Sequence, residues 1–429
     1  MNKESYFTLA RLLLGLLTSI SGQVPLMGAL PESTGIWPEW RGPDGDGHAG
    51  SQALPLHWSE SNNIAWKRAI HDEGWSSPVI WGKQIWVTTA RADGSELFAV
   101  CIDRDSGQVL QDVKVFDVEN TKSINAVNSY ASPTPVIEAG RLYVHFGTYG
   151  TACLDTQTAK VLWSRCDLNC DHGEGPGSSP ISVGGLLAFQ VDGRDVQYVV
   201  ALDKASGKTV WKTPSSIDFS GFMPDCRKAF STPAMVEAAG HLQLVCAGAQ
   251  GAMGYDARTG EELWKVRYKG WSEIMRPVCR QGLVFLGTDY LHPQLWAIRL
   301  DGHGDVTETH VAWKNVERMP ATPSPLVVDD LLYVVNDTGI VSCLEAQTGH
   351  SIWEQRLDGA FIASPLYGAG RIYFFGRNGA ATVMAPGRAC RILAVNKLVG
   401  TVMASPAVAD NALFVRTKDY LYRIGTAIQ

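Results

Sequence analysis

A short landmark that recurs eight times constrains the fold of this chain more than any other feature. It is a proline preceded by serine, threonine or arginine and followed by an apolar run. The landmark prolines are Pro78, Pro133, Pro180, Pro233, Pro277, Pro323, Pro365 and Pro406. The longest interval, from Pro78 to Pro133, is 55 residues, and the shortest, from Pro365 to Pro406, is 41. A period of about 45 residues filled with short β-type runs is typical of four-stranded propeller blades.

Each interval holds four strand-like runs in the same order. The first follows the proline, as at Val79-Ile80, and the second resembles Leu142-Tyr143-Val144. The third ends in an acidic residue and a glycine-bearing turn, as in residues 201–207, and the fourth contains a tryptophan, as at Trp211. We expect the acid to accept backbone N–H bonds, the glycine to adopt a positive φ, and the tryptophan to fill the gap between sheets. These residues are therefore interpreted as structural.

The eighth unit indicates how the ring closes. After Pro406 there is room for only three strands before the chain stops. Residues 63–67, Asn-Ile-Ala-Trp-Lys, look like a fourth strand without a blade of its own. Pairing the two removes sheet edges that invite aggregation. The sequence thus predicts an all-β, eight-bladed β-propeller of four-stranded antiparallel blades, closed by an N-terminal strand that completes the last blade.

Residues 1–22 have the pattern of a secretory signal peptide. Lys3 and Arg11 precede an apolar run at residues 12–20, and small residues follow it. A membrane anchor is the alternative, but spanning a bilayer takes about 20 apolar residues and this run is about half as long. We therefore expect an exported chain, periplasmic or extracellular, with no transmembrane segment after cleavage.

The mature chain divides into a leader segment at residues 23–57 and the propeller at residues 58–429. The formal net charge of −6, without a long Lys/Arg run, argues against nucleic acid as a partner. Residues 44–47 of the leader, Asp-Gly-Asp-Gly, resemble part of a calcium loop, but the downstream glutamate of an EF-hand is missing. We interpret them as a solvated turn and predict no metal site.

Nine cysteines leave at least one thiol unpaired. Most lie in apolar runs, where a thiol acts as a small buried hydrophobe. Cys166 and Cys170 flank a polar loop and are the best candidates for a local disulfide in an oxidising compartment.

The tryptophan-bearing strand, the Ala-Leu-Asp-x-x-Ser/Thr-Gly turn and the Ser-Pro landmark together resemble the pyrroloquinoline-quinone-like repeat propellers, from about residue 58 to residue 424. The leader motif at residues 40–47, with residues 54–59 and 74–78, is more narrowly similar to exported propeller proteins of planctomycete-type bacteria. Members of the wider family include quinoprotein alcohol dehydrogenases and a scaffold subunit of outer-membrane protein assembly.

The resemblance implies a test for the dehydrogenase chemistry. Those enzymes resemble one another in carrying two adjacent cysteines beside the quinone, a calcium ion held by Glu and Asn, and an aspartate base. No two cysteines are adjacent in this chain, and no Glu/Asn/Asp set matches the blade positions of those enzymes. No cofactor is therefore predicted, and pyrroloquinoline quinone with calcium is kept only as part of an alternative.

Loops that lead into the innermost strands of a propeller converge on one mouth of the central channel. The predicted ligand-facing residues are Trp75, Tyr130, Glu174, Arg227, Phe230, Arg276, Arg318 and Phe361, together with His172 in a glycine-rich loop. We expect His172 or Glu174 to titrate near neutral pH, or else to have a structural or solvent-exposed role. The three arginines are candidates to hold one anionic group together, the alternative being that each pairs with an acidic side chain.

Three functional hypotheses follow. The first is a non-catalytic binding or scaffold module of the bacterial envelope, which recognises a protein, peptide or polysaccharide at the channel mouth. The second is a quinone-dependent alcohol or sugar dehydrogenase. The third is a hydrolase or lyase that uses His172 or His145 with a carboxylate, although no Ser-His-Asp or metal-ligand spacing supports it.

Overall fold

The computed structural model describes residues 35–50 and 52–425. In this part of the chain 34 strands form eight sheets, and two short 3₁₀ helices lie at Gly147–Tyr149 and Pro224–Arg227. Each sheet contains four successively antiparallel strands, so the predicted eight-bladed, all-β propeller is confirmed. The expected signal peptide lies outside the described residues. Within the described ranges, no helix has the length and apolar character needed to cross a bilayer.

Two strands precede the first complete blade in the chain, β1 (Ile36–Trp37) and β2 (Ile64–Ala69). Blade 1 comprises β3 (Val79–Trp81), β4 (Gln84–Ala90), β5 (Glu96–Asp103) and β6 (Val109–Asp117). Blade 2 comprises β7 (Val136–Glu138), β8 (Arg141–His145), β9 (Thr151–Asp155) and β10 (Val161–Arg165). Blade 3 comprises β11 (Ile181–Val183), β12 (Leu186–Asp192), β13 (Gln197–Asp203) and β14 (Thr209–Pro214). Blade 4 comprises β15 (Ala234–Ala238), β16 (His241–Gly248), β17 (Gly251–Asp256) and β18 (Glu262–Arg267).

Blade 5 contains an insertion. It comprises β19 (Val278–Arg280), β20 (Leu283–Gly287), β21 (Leu295–Arg299) and β23 (Val311–Asn315), while the inserted β22 (Gly304–Asp305) pairs parallel with β18 of blade 4. Blade 6 comprises β24 (Leu326–Val328), β25 (Leu331–Val335), β26 (Ile340–Glu345) and β27 (Ser351–Arg356). Blade 7 comprises β28 (Leu366–Gly368), β29 (Arg371–Phe375), β30 (Ala380–Ala385) and β31 (Arg391–Lys397).

Blade 8 combines strands from both ends of the described chain. Its inner three strands are β32 (Ala407–Ala409), β33 (Ala412–Arg416) and β34 (Tyr420–Ile424). The fourth is β2, which pairs antiparallel with β34 from Ile64 opposite Ile424 to Ala69 opposite Tyr420. The innermost strand of blade 8, β32, also contacts the innermost strand of blade 1, β3.

Apolar side chains fill the spaces between neighbouring blades. Between blades 1 and 2, for example, Val79 and Trp86 pack with Leu142 and Val144, and all four are fully buried. Burying a branched or aromatic side chain of this kind contributes roughly 1.5–3 kcal/mol. Each blade is therefore held mainly by its neighbours, and its innermost strand is left to line the channel.

Tryptophans join the blades at the end of the propeller that carries the Asp-Gly turns, called here the turn face. Trp163 of blade 2 donates its indole N–H to the carbonyl of Lys204 in blade 3 at 2.9 Å. The same turn is held by Asp203, which accepts from the backbone N–H and hydroxyl of Ser206, and Gly207 has a φ of 70°. A Cβ at Gly207 would lie 2.6 Å from the Trp163 ring. The predicted architectural roles of these residues are therefore confirmed for this junction.

The same contact recurs at other junctions. The further indole donors and the carbonyls that accept from them are Trp66 with Arg104, Trp313 with Ala346, and Trp353 with Gly387.

Hydroxyl groups at the landmark join the innermost strands around the channel. The backbone N–H of Ser77 donates to Thr134 Oγ1, that of Thr134 to Ser179 Oγ, and that of Ser179 to Thr232 Oγ1, each at 2.9 Å. A second series of bonds at 3.0 Å links Arg276, Ser324, Ser364 and Ser405 in the same way. This hydroxyl band explains the Ser/Thr-Pro landmark, because each hydroxyl binds the first strand of one blade to the next.

The leader segment occupies the centre of the ring. β1 pairs with β3 of blade 1, and Glu39 accepts from the backbone N–H of Ser182 in blade 3 at 3.1 Å. Arg41 donates to the carbonyl of Pro325 in blade 6 at 2.7 Å, and Ala49 N–H to that of Tyr367 in blade 7 at 2.8 Å. One short segment can contact so many blades only along the central axis. Residues 36–49 are therefore named the channel plug.

Candidate functional site

The loops that lead into the innermost strands enclose a cavity of about 390 Å³, called here the mouth cavity. Its lining includes Trp40, Trp75, Lys228, Phe230, Trp271 and Tyr290. The volume lies within the range of about 300–1,000 Å³ found for small-molecule sites. Because Trp40 belongs to the channel plug, the cavity is a cup that is open at the mouth and floored by the leader.

Aromatic rings form much of the wall. Trp75 and Trp271 are half-buried, whereas Tyr290 is 43% exposed. The backbone holds them in place: Trp75 N–H donates to the carbonyl of Ala131 at 3.1 Å, and Tyr290 N–H to that of Trp271 at 3.2 Å. The indole nitrogen of Trp75 is buried and has no partner among the described residues. The wall therefore combines flat apolar faces with an unused donor.

The hydroxyl band forms the polar part of the wall. Ser77, Thr134, Ser179 and Thr232 from blades 1 to 4 all line the cavity. A hydroxyl that accepts one N–H bond retains its own O–H and a second lone pair. Thr134, Ser179 and Thr232 therefore keep one donor and one acceptor each after binding their neighbours.

One charged cluster lies at the rim. Lys228 is only 2% exposed, and its ammonium lies 2.5 Å from Asp225 Oδ1 and 3.7 Å from Glu174 Oε1. Asn125 donates to the other Glu174 oxygen at 2.9 Å. The hydrogen bond from Lys228, followed by that from Arg194, lowers the pKa of Asp225. Lys228 is thus committed to two carboxylates, and the local charge of these lining residues is negative.

Two acids without a cationic partner among the described residues lie close to the wall, Glu273 fully buried and Asp192 partly exposed. Burial raises the pKa of Asp192 to about 7 and that of Glu273 to about 8. Glu273 lies between the lining residues Ser272 and Ile274, and its Oε2 has no hydrogen-bond partner among the described residues. Both carboxyl groups therefore favour the protonated form inside the protein.

Three of the residues predicted from sequence meet in the mouth cavity: Trp75, Glu174 and Phe230. Tyr130 is buried behind them and donates its hydroxyl to the carbonyl of Lys122 at 2.7 Å. Phe361 is 1% exposed and packs in the core of blades 6 and 7.

The two histidines lie outside the mouth cavity, around a much smaller adjacent pocket. Burial lowers the pKa of His172 to about 4 and that of His145 to about 3. His145 bonds Thr151 Oγ1 at 2.8 Å. Burial in this pocket disfavours the charged ring of His172, which favours the predicted alternative of a structural role for this residue.

The three predicted arginines are held by three different partners. Arg276 is 2% exposed and lies 2.8 Å from Glu39 of the channel plug. Arg318 pairs with Glu354, and Arg227 donates to the carbonyl of Phe222 at 2.6 Å. These contacts favour the alternative of separate pairing for Arg276 and Arg318 over one shared anion site.

No disulfide links Cys166 and Cys170, and all nine cysteines are free thiols. Cys170 packs into an apolar cluster with Phe189, while Cys166 is exposed. The disulfide expectation is therefore not met, because the two side chains face different surroundings.

The sequence reasoning missed Trp40, Trp271 and Lys228. A usable signal was present for Trp271, which precedes the landmark of blade 5 by a few residues, as Trp75 precedes that of blade 1. Trp40 was visible in the leader motif, but no local pattern indicated that the leader enters the channel.

The fold and the cup at the channel mouth define a class, the eight-bladed propellers of pyrroloquinoline-quinone-like repeats. The profile of the family described as outer membrane protein assembly factor BamB matches residues 57–306 and 294–389. The chain belongs to this family. No curated protein matches the sequence.

Solved structures share the fold at low identity. BamB from Moraxella catarrhalis is 11% identical with a TM-score of 0.57, over 84% of this chain and 99% of that one. A quinohemoprotein alcohol dehydrogenase from Comamonas testosteroni is 10% identical with a TM-score of 0.64, over 92% of this chain and 81% of that one. A second such enzyme, from Pseudomonas putida HK5, is 12% identical with a TM-score of 0.63.

The mouth cavity does not fit the quinone that the dehydrogenase likeness implies. Pyrroloquinoline quinone carries several carboxylates, whereas Lys228 is the one cation among the described lining residues and is already paired. No cysteine is among those lining residues. Among residues 35–50 and 52–425, no three His, Cys, Asp or Glu side chains are grouped as metal ligands. The donor set thus opposes a bound anionic quinone.

Proposed function

We propose that this protein is a non-catalytic binding or scaffold module of the bacterial envelope that recognises its ligand in the mouth cavity. The single observation that carries the proposal is the cup itself: aromatic rings and half-engaged hydroxyls around one opening, with the channel plug as a floor. Its convergent polar groups and apolar faces are the usual composition of a binding site. Membership of the BamB family supports an envelope location and a role in interaction.

Blocking the cup tests the proposal. Ile362 is a half-buried lining residue, so Ile362→Trp should place a bulky ring in the cavity and obstruct it. Val210→Trp is the matched control, because Val210 is 53% exposed on β14, away from the cavity. Immobilised wild type and the control should retain the same components of an envelope extract, and Ile362→Trp should lose them while its melting temperature stays the same.

A second measurement addresses catalysis. The purified protein is incubated with pyrroloquinoline quinone and calcium, and bound-cofactor absorbance and dye reduction are followed with a panel of alcohols and sugars. We expect no bound cofactor and no turnover. Cofactor absorbance that Ile362→Trp abolishes would overturn the non-catalytic proposal.

A further inference from the structure

Resting on the proposed function, we infer that the ligand of the mouth cavity is the end of a neutral polysaccharide chain. The inference depends on the chemistry of the wall, its charge and the closed floor.

The aromatic wall suits sugar rings. A pyranose presents a flat face of C–H bonds, and an indole presents a flat face of negative quadrupole that attracts polarised C–H groups. Trp75 and Trp271 are the half-buried tryptophans at the mouth, and Tyr290 extends the surface outward with 43% exposure. An aromatic wall of this kind binds through area and does not require a charged ligand.

The polar wall suits hydroxyl groups. A sugar hydroxyl both donates and accepts, so its best partners are groups that also offer both. Thr134, Ser179 and Thr232 each keep one donor and one acceptor, as shown above. The side-chain amides of Asn125 and Asn128, which also line the cavity, are already bound to Glu174 and neighbouring groups, so the hydroxyls are the free polar partners of this wall. Mixed donors and acceptors on one wall match a polyol better than a ligand with a single type of polar group.

The charge of the site disfavours acidic polymers. Glu174 and Asp225 are matched by two cations, Lys228 and Arg194, and both cations are already bound to these carboxylates. A uronate, sulfate or phosphate group in the cup would meet these carboxylates without a free cation to neutralise it. The preferred saccharide is therefore uncharged.

An extended peptide is a poorer occupant. Peptides that bind to propeller or sheet edges pair with free main-chain groups. In the hydroxyl band, however, the N–H groups of Ser77, Thr134 and Ser179 already donate to neighbouring blades. The same applies to Arg276, Ser324 and Ser364 on the other side of the channel.

The channel plug implies recognition of a chain end. Trp40 lines the cavity and donates its indole N–H to Ser405 Oγ at 3.3 Å, so the floor is tied to blade 8. Directly below, the Arg276 side chain pairs with Glu39 and donates to the carbonyl of Trp40. A polymer cannot thread through a channel closed in this way, and only a terminus fits into the cup.

The test uses the full-length exported protein, isothermal titration calorimetry and a panel of neutral hexasaccharides: xylo-, cello-, manno-, malto- and chito-oligomers, with oligogalacturonate as the anionic arm. We expect at least one neutral member to bind saturably and oligogalacturonate not to bind. Trp271→Ala should weaken that binding by about tenfold or more, the scale of one aromatic hot spot. Trp81→Ala is the matched control, because Trp81 lies at the far end of β3, and it should leave the affinity within about twofold.

A length series separates chain ends from internal segments. For polymers of the bound sugar at equal mass, the number of sites filled should fall as length rises, in proportion to the number of termini. Sites that scale with mass would contradict the end-binding inference.

The experiments distinguish a failure of the saccharide inference from a failure of the proposed function. If no oligosaccharide binds while Ile362→Trp still abolishes capture from the extract, the cup binds a ligand of another class and the saccharide inference is wrong. If a saccharide binds but neither Ile362→Trp nor Trp271→Ala affects it, the sugar occupies another surface, which also overturns the inference. If Ile362→Trp changes neither measurement, the proposed function itself fails.

Discussion

The turn face and the mouth of this propeller follow different rules. On the turn face the same contact recurs at four junctions, in which an indole N–H donates to a turn carbonyl beside a glycine. At the mouth, the connections between blades range from residues 215–233, between β14 and β15, to the much shorter 398–406, between β31 and β32. Uniform contacts stabilise the ring, and the variable loops shape the cavity.

Polar groups around the mouth cavity differ in whether they are paired. Beneath the cavity, the plug pairs Arg276 with Glu39, and both are almost fully buried. Close to the cavity wall, Glu273 keeps an unpartnered carboxyl oxygen, and burial lowers the pKa of the unpaired Arg416 to about 9. Unsatisfied groups of this kind reduce stability and concentrate near functional sites.

The largest effect is expected from Arg276→Met. Removing the guanidinium leaves the Glu39 carboxylate buried without its cation, and breaking a buried pair costs about 3–5 kcal/mol. Urea denaturation should show this loss. The double variant Glu39→Gln/Arg276→Met should recover part of it, because the orphaned charge is gone. A single variant as stable as wild type would show that the plug does not depend on this pair.

The next prediction compares two tryptophans. Trp163→Ala removes a half-buried ring that packs on Tyr143 and donates to the Lys204 carbonyl of the next blade, and it should cost about 2–3 kcal/mol of unfolding free energy. Trp271→Ala removes a half-buried ring at the mouth and should cost about 1 kcal/mol or less. Paired denaturation curves measure the difference. Equal losses would mean that the mouth tryptophan is structural too.

The repeat made much of the fold predictable. Prolines every 41 to 55 residues set the blades, and the Asp203-to-Gly207 pattern set the turns, because both depend on local backbone chemistry. The incomplete eighth unit pointed to the strand around Trp66, which does pair with β34. Local patterns that recur from blade to blade thus made the architecture predictable from the sequence.

The site was less predictable because its residues meet only through long-range packing. Position before a landmark proline selected Trp75 and Phe230, which line the mouth cavity, yet the same rule selected Arg276, whose side chain turns into the plug. Nothing within a few residues of Trp40 indicates that it contacts Ser405, at the other end of the chain. Side-chain direction in an irregular loop follows from the loop's partners, and these are distant in sequence.

Removing the ionisable carboxyl group of Glu273, close to the cavity wall, should stabilise the folded protein. The pKa of Glu273 is about 8 in the folded state and its ordinary value is near 4.5, so the folded state binds more protons between these pH values. Stability therefore falls as pH rises from about 4.5 to 8. Glu273→Gln should raise the unfolding free energy at pH 8, by up to about 1.4 kcal/mol for each unit of the pKa difference, and change it little at pH 4.5. Urea midpoints at both pH values test this, and a pH-independent effect of the variant would contradict the burial of an unpaired acid.

The smallest predicted effect distinguishes the cost of a positive φ at a glycine from the cost of a clash with tryptophan on the turn face. Gly207 and Gly140 have φ values of 70° and 78°, so alanine at either position meets the same left-handed penalty of about 1–2 kcal/mol. They differ in space, since a Cβ at Gly207 would lie 2.6 Å from the Trp163 ring, while a Cβ at Gly140 would meet nothing within 4 Å. Gly207→Ala should therefore cost about 1 kcal/mol more than Gly140→Ala, as Trp163 is displaced from its turn. Adding Trp163→Ala to both backgrounds should remove this difference, because the ring that clashes is then absent. If the difference between the two alanine variants persists without the Trp163 ring, its cost comes from the turn backbone alone. The contact with Trp163 is then not what requires glycine at position 207.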